Sequence, residues 1–159
     1  MTSGRFRDDG RRIEDFADLV LVVCPRCGEH ADIRPFDPDD GVRRTALAWL
    51  LPRRLVCGHC ALTRTHLRAT AGFGRATDPY FDLPLALQAP CAGHVIWAYN
   101  IDHLNHLLAY VEAGIRGRPI PATPEQKAPA SLLEKMPGWF GAASNRTAIS
   151  RALRSLGAG

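Results

Sequence analysis

The chain has 159 residues, 46% of them hydrophobic, and 20 basic against 16 acidic side chains give it a formal charge of +4. That is about one domain's length, and no stretch approaches the roughly 18 consecutive apolar residues of a membrane span. The residues before Leu19 mix Arg with Asp and hold no hydrophobic segment, so they do not read as a secretory signal; the expectation is a cytoplasmic protein with reduced cysteines.

Residues 1–18 are charged, mixed in sign and short of apolar side chains, which predicts a disordered or frayed tail with only Ile13 and Phe16 available to dock. A β-prone run, residues 19–23, then leads into Cys24-Pro25-Arg26-Cys27, and a return strand follows over 29–35, where Ala31 and Ile33 alternate with Asp32 and Arg34. Residues 36–41 form a turn cluster, and 42–51 suit either a short helix or a strand. Arg53-Arg54-Leu55-Val56 enters a second clip, Cys57-Gly58-His59-Cys60, and 62–69 leaves it. There Arg64, His66 and Arg68 fall on one face, with Thr63, Thr65 and Leu67 on the other.

Two C-x-x-C clips are the usual way a chain holds one structural zinc ion. Each clip turns two thiolates toward the same point, and four of them close a tetrahedron without an open position for water. Cys24, Cys27, Cys57 and Cys60 are therefore the candidate ligands of one structural Zn²⁺. The 29 residues between the clips exceed the roughly 15–20 of the commonest spacing, so a loop must be accommodated there. Pro25 presets a turn, and Gly28 and Gly58 are expected to let main-chain N–H groups face the sulfurs. The competing readings are a redox pair and a disulfide framework, but a redox motif calls for a βαβ context that the sequence lacks.

Four thiolates and one Zn²⁺ change the charge to +4 − 4 + 2 = +2, so net charge says little about partners. Its distribution says more. Residues 1–40 hold six Arg against ten acids, whereas 41–76 hold seven Arg and no acid. Arg53, Arg54, Arg64 and Arg68 are accordingly the candidate nucleic-acid contacts, since a row of guanidinium groups on a sheet attracts phosphate. A solvated face is the plain alternative.

Beyond the clips, residues 76–117 read as a β-hairpin and a helix packed on the first unit. A strand over 81–89 is interrupted by Pro84, a turn at 90–93 follows, and a strand rich in β-branched and aromatic residues runs over 94–99. Asn100 is a natural N-cap for a helix over 101–116, whose stripe is Ile101, Leu104, Leu107, Leu108, Val111 and Ile115. His103 and His106 sit at i, i+3, and Cys91 with His94 makes a C-x-x-H; both have metal-ligand spacing. The plainer readings are surface histidines and a small buried thiol. Four prolines mark 118–130 as a linker. Ser131 and Glu134 have capping-box spacing, and Asn145 precedes an amphipathic helix striped by Ala148, Ile149, Ala152, Leu153 and Leu156. That helix needs a surface, either its own domain or a protein partner.

The order Cys-Pro-x-Cys-Gly, Cys-Gly-x-Cys, Leu-Pro-Leu-Ala-Leu-Gln-Ala-Pro-Cys (83–91), Trp97-Ala98-Tyr99-Asn100, His103-Leu104, Tyr110-Val111-Glu112-Ala113, Pro137-x-Trp139 and Asn145-Arg146 resembles a group of small bacterial proteins described as TFIIB-type zinc-ribbon-containing. The resemblance spans about residues 20–156 and implies a zinc-ribbon fold with a zinc site. The expected architecture is α+β: a zinc ribbon of antiparallel hairpins over 19–75, the hairpin and helix of 76–117, the linker, and a C-terminal helical segment over 131–159. The expected function is a structural-zinc module that binds nucleic acid or regulates. The alternative is a protein-interaction adaptor that engages its partner through the C-terminal helix and the aromatics Trp97, Tyr99 and Trp139. No triad, paired-carboxylate or His-Glu-x-x-His motif points to an enzyme.

Overall fold

A computed structural model of the chain describes residues 5–36, 51–67, 72–113, 115–117 and 130–159. The fold is α+β. Its first unit is a four-stranded antiparallel sheet in sequence order, β2 (Val20–Val23), β3 (His30–Pro35), β4 (Arg53–Val56) and β5 (Thr63–His66). Period-two alternation decides its inner face: Val20, Val22, Ala31, Ile33 and Leu55 are buried, while Leu21, Asp32 and Val56 face outward. Burying each large aliphatic side chain contributes about 1.5–3 kcal/mol.

A hairpin of β6 (Leu87–Cys91) and β7 (His94–Ala98) comes next, closed by Ala92 (φ 50°) and Gly93 (φ 79°), the left-handed pair of a two-residue turn that matches strand twist. Pro90 is tolerated within it because the sheet has only two strands, both of them edges. Asn100 then caps α1 (Ile101–Glu112). Its Oδ1 accepts the His103 N–H at 2.9 Å, and its Nδ2 donates to the carbonyls of Phe16 and Leu19 at 2.7 Å each. The helix stops at Glu112 rather than reaching 116, because 115–117 turns out as strand β8 (Ile115–Gly117), paired in parallel with β1 (Arg5–Arg7). The capping box at Ser131 forms as expected: Ser131 N–H donates to Glu134 at 3.0 Å and Glu134 N–H to Ser131 Oγ at 3.3 Å. A short turn of helix, α2 (Gly138–Gly141), leads to α3 (Arg146–Gly157), which packs on α1, β6 and β7 with Ile149 and Leu153 fully buried. Asn145 does not cap it; the Asn145 side chain donates instead to the Trp139 carbonyl at 2.9 Å.

Residues 5–18 are not a frayed tail. After β1, Asp8 accepts the Ser131 hydroxyl proton, Leu132 N–H donates to the Arg11 carbonyl at 2.9 Å, and a 3-10 turn, Ile13–Phe16, delivers Phe16 into the core at 2% exposure. Phe16 stacks on His103 at 4.8 Å between ring centroids, lies 5.2 Å from His106, and carries the Arg11 guanidinium on its face at 4.6 Å. Local charge suggested solvation, but the partners of this segment are far along the chain. The expected turn cluster at 37–41, the ambiguous 42–50 and the linker residues 118–129 lie outside the described residues.

Candidate metal centre

Topology brings the clips together. The first clip connects β2 to β3 and the second β4 to β5, and β3 and β4 run antiparallel with Asp32 opposite Val56, so both clip turns emerge at the same end of the sheet. The two turns are near copies. Cys24 N–H donates to the Glu29 carbonyl at 2.7 Å and Gly28 N–H to the Cys24 carbonyl at 3.0 Å; Cys57 N–H donates to Leu62 at 2.9 Å and Ala61 N–H to Cys57 at 3.0 Å. The left-handed position of each turn is the residue after the second cysteine, Gly28 at φ 78° and Ala61 at φ 59°. The expected role of Gly58 is thus misplaced: it holds the same place in its clip as Pro25 in the first, and Ala61 takes the strained conformation.

The sulfurs converge. Sγ of Cys24 lies 3.7 Å from that of Cys60, Sγ of Cys27 lies 3.6 Å from that of Cys57, and all four fit within 4.8 Å of one another. None is in a disulfide. A tetrahedron with metal–sulfur bonds of about 2.3 Å has S···S edges of about 3.8 Å, so the quartet has the size of a metal cage and is far wider than the roughly 2.05 Å of a covalent bridge.

Electrostatics make the same demand. Burial raises the pKa of the Cys24 thiol, but the main-chain N–H groups of Cys27 and Arg26, the latter 3.4 Å from Sγ, outweigh it and bring the thiol down to about 6. Cys27 goes the other way, to about 12. The Glu29 N–H lowers it, yet burial and the neighbouring sulfurs prevail. Four apposed thiols cannot all ionise beside one another without a cation among them. The donor set therefore suits a soft or borderline metal ion.

The four candidate nucleic-acid arginines do not form one surface. Arg53 and Leu55 point into the core, and Arg53 is 0% exposed: its guanidinium lies over the Tyr80 ring at 4.4 Å and donates to the Ala17 carbonyl. Burial lowers its pKa and pushes that of Tyr80 up to about 12. Arg53 is a core residue, because a guanidinium on the inward phase of a strand must find its partners inside. Arg54 lies on the outer face beside its cross-strand partner Arg34, with its guanidinium 3.6 Å from the centre of the Phe36 ring. Arg64 is exposed, but it pairs with Leu55 and so shares the opposite face. Arg68 lies outside the described residues.

Of the other candidates, Cys91 is buried in the hairpin at 8% exposure, while His94 is exposed and stacked on Trp139 at 4.2 Å. His103 and His106 are buried in the core rather than on the surface. Asp8, Asp9 and His106 come close enough together to hold a cation, and one is present: Arg11 donates to Asp9 at 2.8 Å and stands 3.1 Å from His106 Nδ1. The C-terminal helix spends its apolar stripe on α1, β6 and β7, so that face is not offered to a protein partner. No helix among the described residues is long and apolar enough to cross a membrane.

Sequence reasoning missed Arg34 and Phe36, which share the outer face with Arg54. The sign that points to them is the same period-two phase that places Asp32 outward. No family model matches the chain, and no curated protein or solved structure matches it either.

Proposed function

We propose that the protein is a structural-zinc module of zinc-ribbon type, in which Cys24, Cys27, Cys57 and Cys60 hold one Zn²⁺ and the metal acts as architecture. The observation that carries this is the sulfur quartet at tetrahedral spacing, on two turns with matching hydrogen bonds. Four thiolates leave no coordination site for water, so the centre favours folding over catalysis. The likeness of the clips and of the 83–100 block to TFIIB-type zinc-ribbon-containing proteins supports the same reading. When bound, the ion supplies cross-linking between the two hairpins, worth on the order of 10 kcal/mol in small zinc-binding peptides.

On this scaffold we propose a nucleic-acid contact on the outer sheet face, which keeps Arg54 from the arginines the sequence suggested and adds Arg34 and Phe36. The Arg54 guanidinium over the Phe36 ring gives a shelf for an unstacked base, and Arg34, which also donates to Asp32 at 3.3 Å, lies beside it to meet a phosphate.

Elemental analysis of the purified protein tests the metal. The expected result is one zinc per chain, lost in Cys27→Ser together with a drop in thermal midpoint; a metal-free protein of equal stability refutes the architecture. Anisotropy with a single-stranded oligonucleotide tests the surface. Affinity is expected to fall with salt and to drop about tenfold in an Arg34→Gln/Arg54→Gln double variant, and a flat salt response sinks that part of the proposal.

A further inference from the structure

A cavity of about 440 Å³ opens between the Ile13–Phe16 turn, β7, α1 and the segment before α2. That volume lies within the roughly 300–1,000 Å³ of small-molecule sites, whose walls are mostly apolar with a few placed polar groups. Here Phe73, Trp97, Trp139 and Phe140 supply aromatic wall. Trp139 is also stacked on His94, 3° from parallel, which holds its ring in place in the lining.

The polar groups of the lining are chiefly donors. His103 lines the cavity at 1% exposure, and its Nδ1 accepts the Tyr99 N–H at 3.1 Å, which leaves Nε2 to carry the proton of the neutral ring. Lys135 lies in the wall on an exposed residue and forms no ion pair among the described residues. Glu14 is the one carboxylate in the lining. Arg12 already holds its Oε1 at 3.2 Å, and its Oε2 is buried out of the cavity's reach with no hydrogen-bond partner among the described residues. The charge left over is positive, on the exposed Lys135, while most of the lining is apolar.

We propose that this cavity is a binding site for a planar aromatic acid, its ring between Trp97, Trp139 and Phe140 and its carboxylate toward Lys135. A cationic aromatic meets Lys135 and is disfavoured; a neutral one gains the ring contacts without the ion pair. The site is independent of the metal reading, since none of its residues belongs to the clips.

The test uses the full chain in its as-purified metal state, with 2-naphthoate as probe and 2-naphthamide as its neutral counterpart, followed by calorimetry and by the indole N–H signals of the tryptophans. The expected result is saturable one-to-one binding of 2-naphthoate with a Kd below about 1 mM, and shifts at Trp97 and Trp139. The carboxamide and a Lys135→Glu variant should each bind about tenfold more weakly. Lys135 is exposed, so Lys135→Glu should keep the thermal midpoint and the metal content of the parent. Failure of 2-naphthoate to saturate, equal affinity for the carboxamide, or unchanged affinity in Lys135→Glu overturns the proposal. Nuclear Overhauser contacts from residues 118–129 to the Trp97 and Trp139 rings in the ligand-free protein do so as well, because the chain would then occupy the cavity itself.

Discussion

Arg53 separates a core role from a binding role more cleanly than any other residue. Replacing it with Ala removes a hydrogen bond from a charged donor to the Ala17 carbonyl and a desolvated contact over Tyr80, and it empties the space of a fully buried side chain. A charged hydrogen bond is worth about 1.5–3 kcal/mol and a desolvated cation–π contact about 2 kcal/mol. With incomplete collapse of the site, the loss should be about 3–5 kcal/mol, a large share of the roughly 5–15 kcal/mol that holds a domain together. Urea denaturation followed by far-UV circular dichroism reads it directly. Because Arg53→Ala risks failing to fold, Arg53→Lys serves beside it: the charge stays, the planar fork is lost, and about 1–2 kcal/mol should go. Oligonucleotide affinity of the folded Arg53→Lys protein should equal that of the parent. An Arg53→Ala protein of parental stability with weakened nucleic-acid binding would refute the reasoning and return Arg53 to the surface role that its sequence neighbours suggested.

At the second clip, Ala61→Gly relieves a left-handed residue that carries a Cβ. It should raise stability by about 0.5–1 kcal/mol, whereas a lower denaturation midpoint would show that the turn is not strained there. Asn100→Ala removes the α1 cap and leaves the Phe16 and Leu19 carbonyls without their donor, and about 3 kcal/mol should be lost on urea unfolding. Burial first, then the charges of His106 and Arg11, depress the His103 pKa from 6.5 to about 3. The folded state therefore binds fewer protons than the unfolded one between those values. Stability from His103 is complete above pH 6.5 and falls by about 1.4 kcal/mol per unit as the pH drops below it. Its ring signals should not titrate in NMR spectra between about pH 8 and pH 5, and an inflection near the ordinary histidine value would contradict the burial.

The features legible in the sequence are those written in short-range spacing. The two clips, the alternation of Ala31 and Ile33, the Asn100 cap, the Ser131–Glu134 capping box and the stripe of Ile149 and Leu153 each need only residues a few positions apart. What could not be read there depends on partners brought in from a distance. Phe16 is buried by His103 and His106, and Arg11 is held by a contact 95 positions away. Arg53 carries the charge of a surface residue and the phase of a core one, and only Tyr80 and Ala17 resolve that conflict. At the cysteine cluster the grouping of the four thiols was legible while the strain was not, since a C-x-x-C clip does not say which of its neighbours turns left-handed.

The clasp between Asp8 and Ser131 joins positions 123 residues apart. At a ribosomal pace of roughly 5–20 residues per second, Asp8 waits on the order of 10 s for this partner, long after the two cysteine turns have been synthesised. The cysteine hairpins, whose contacts are short in sequence, can gather their sulfurs in the meantime. Residues 5–18 are thus made early and secured late, and during that interval Phe16 is the apolar side chain that a chaperone would find uncovered.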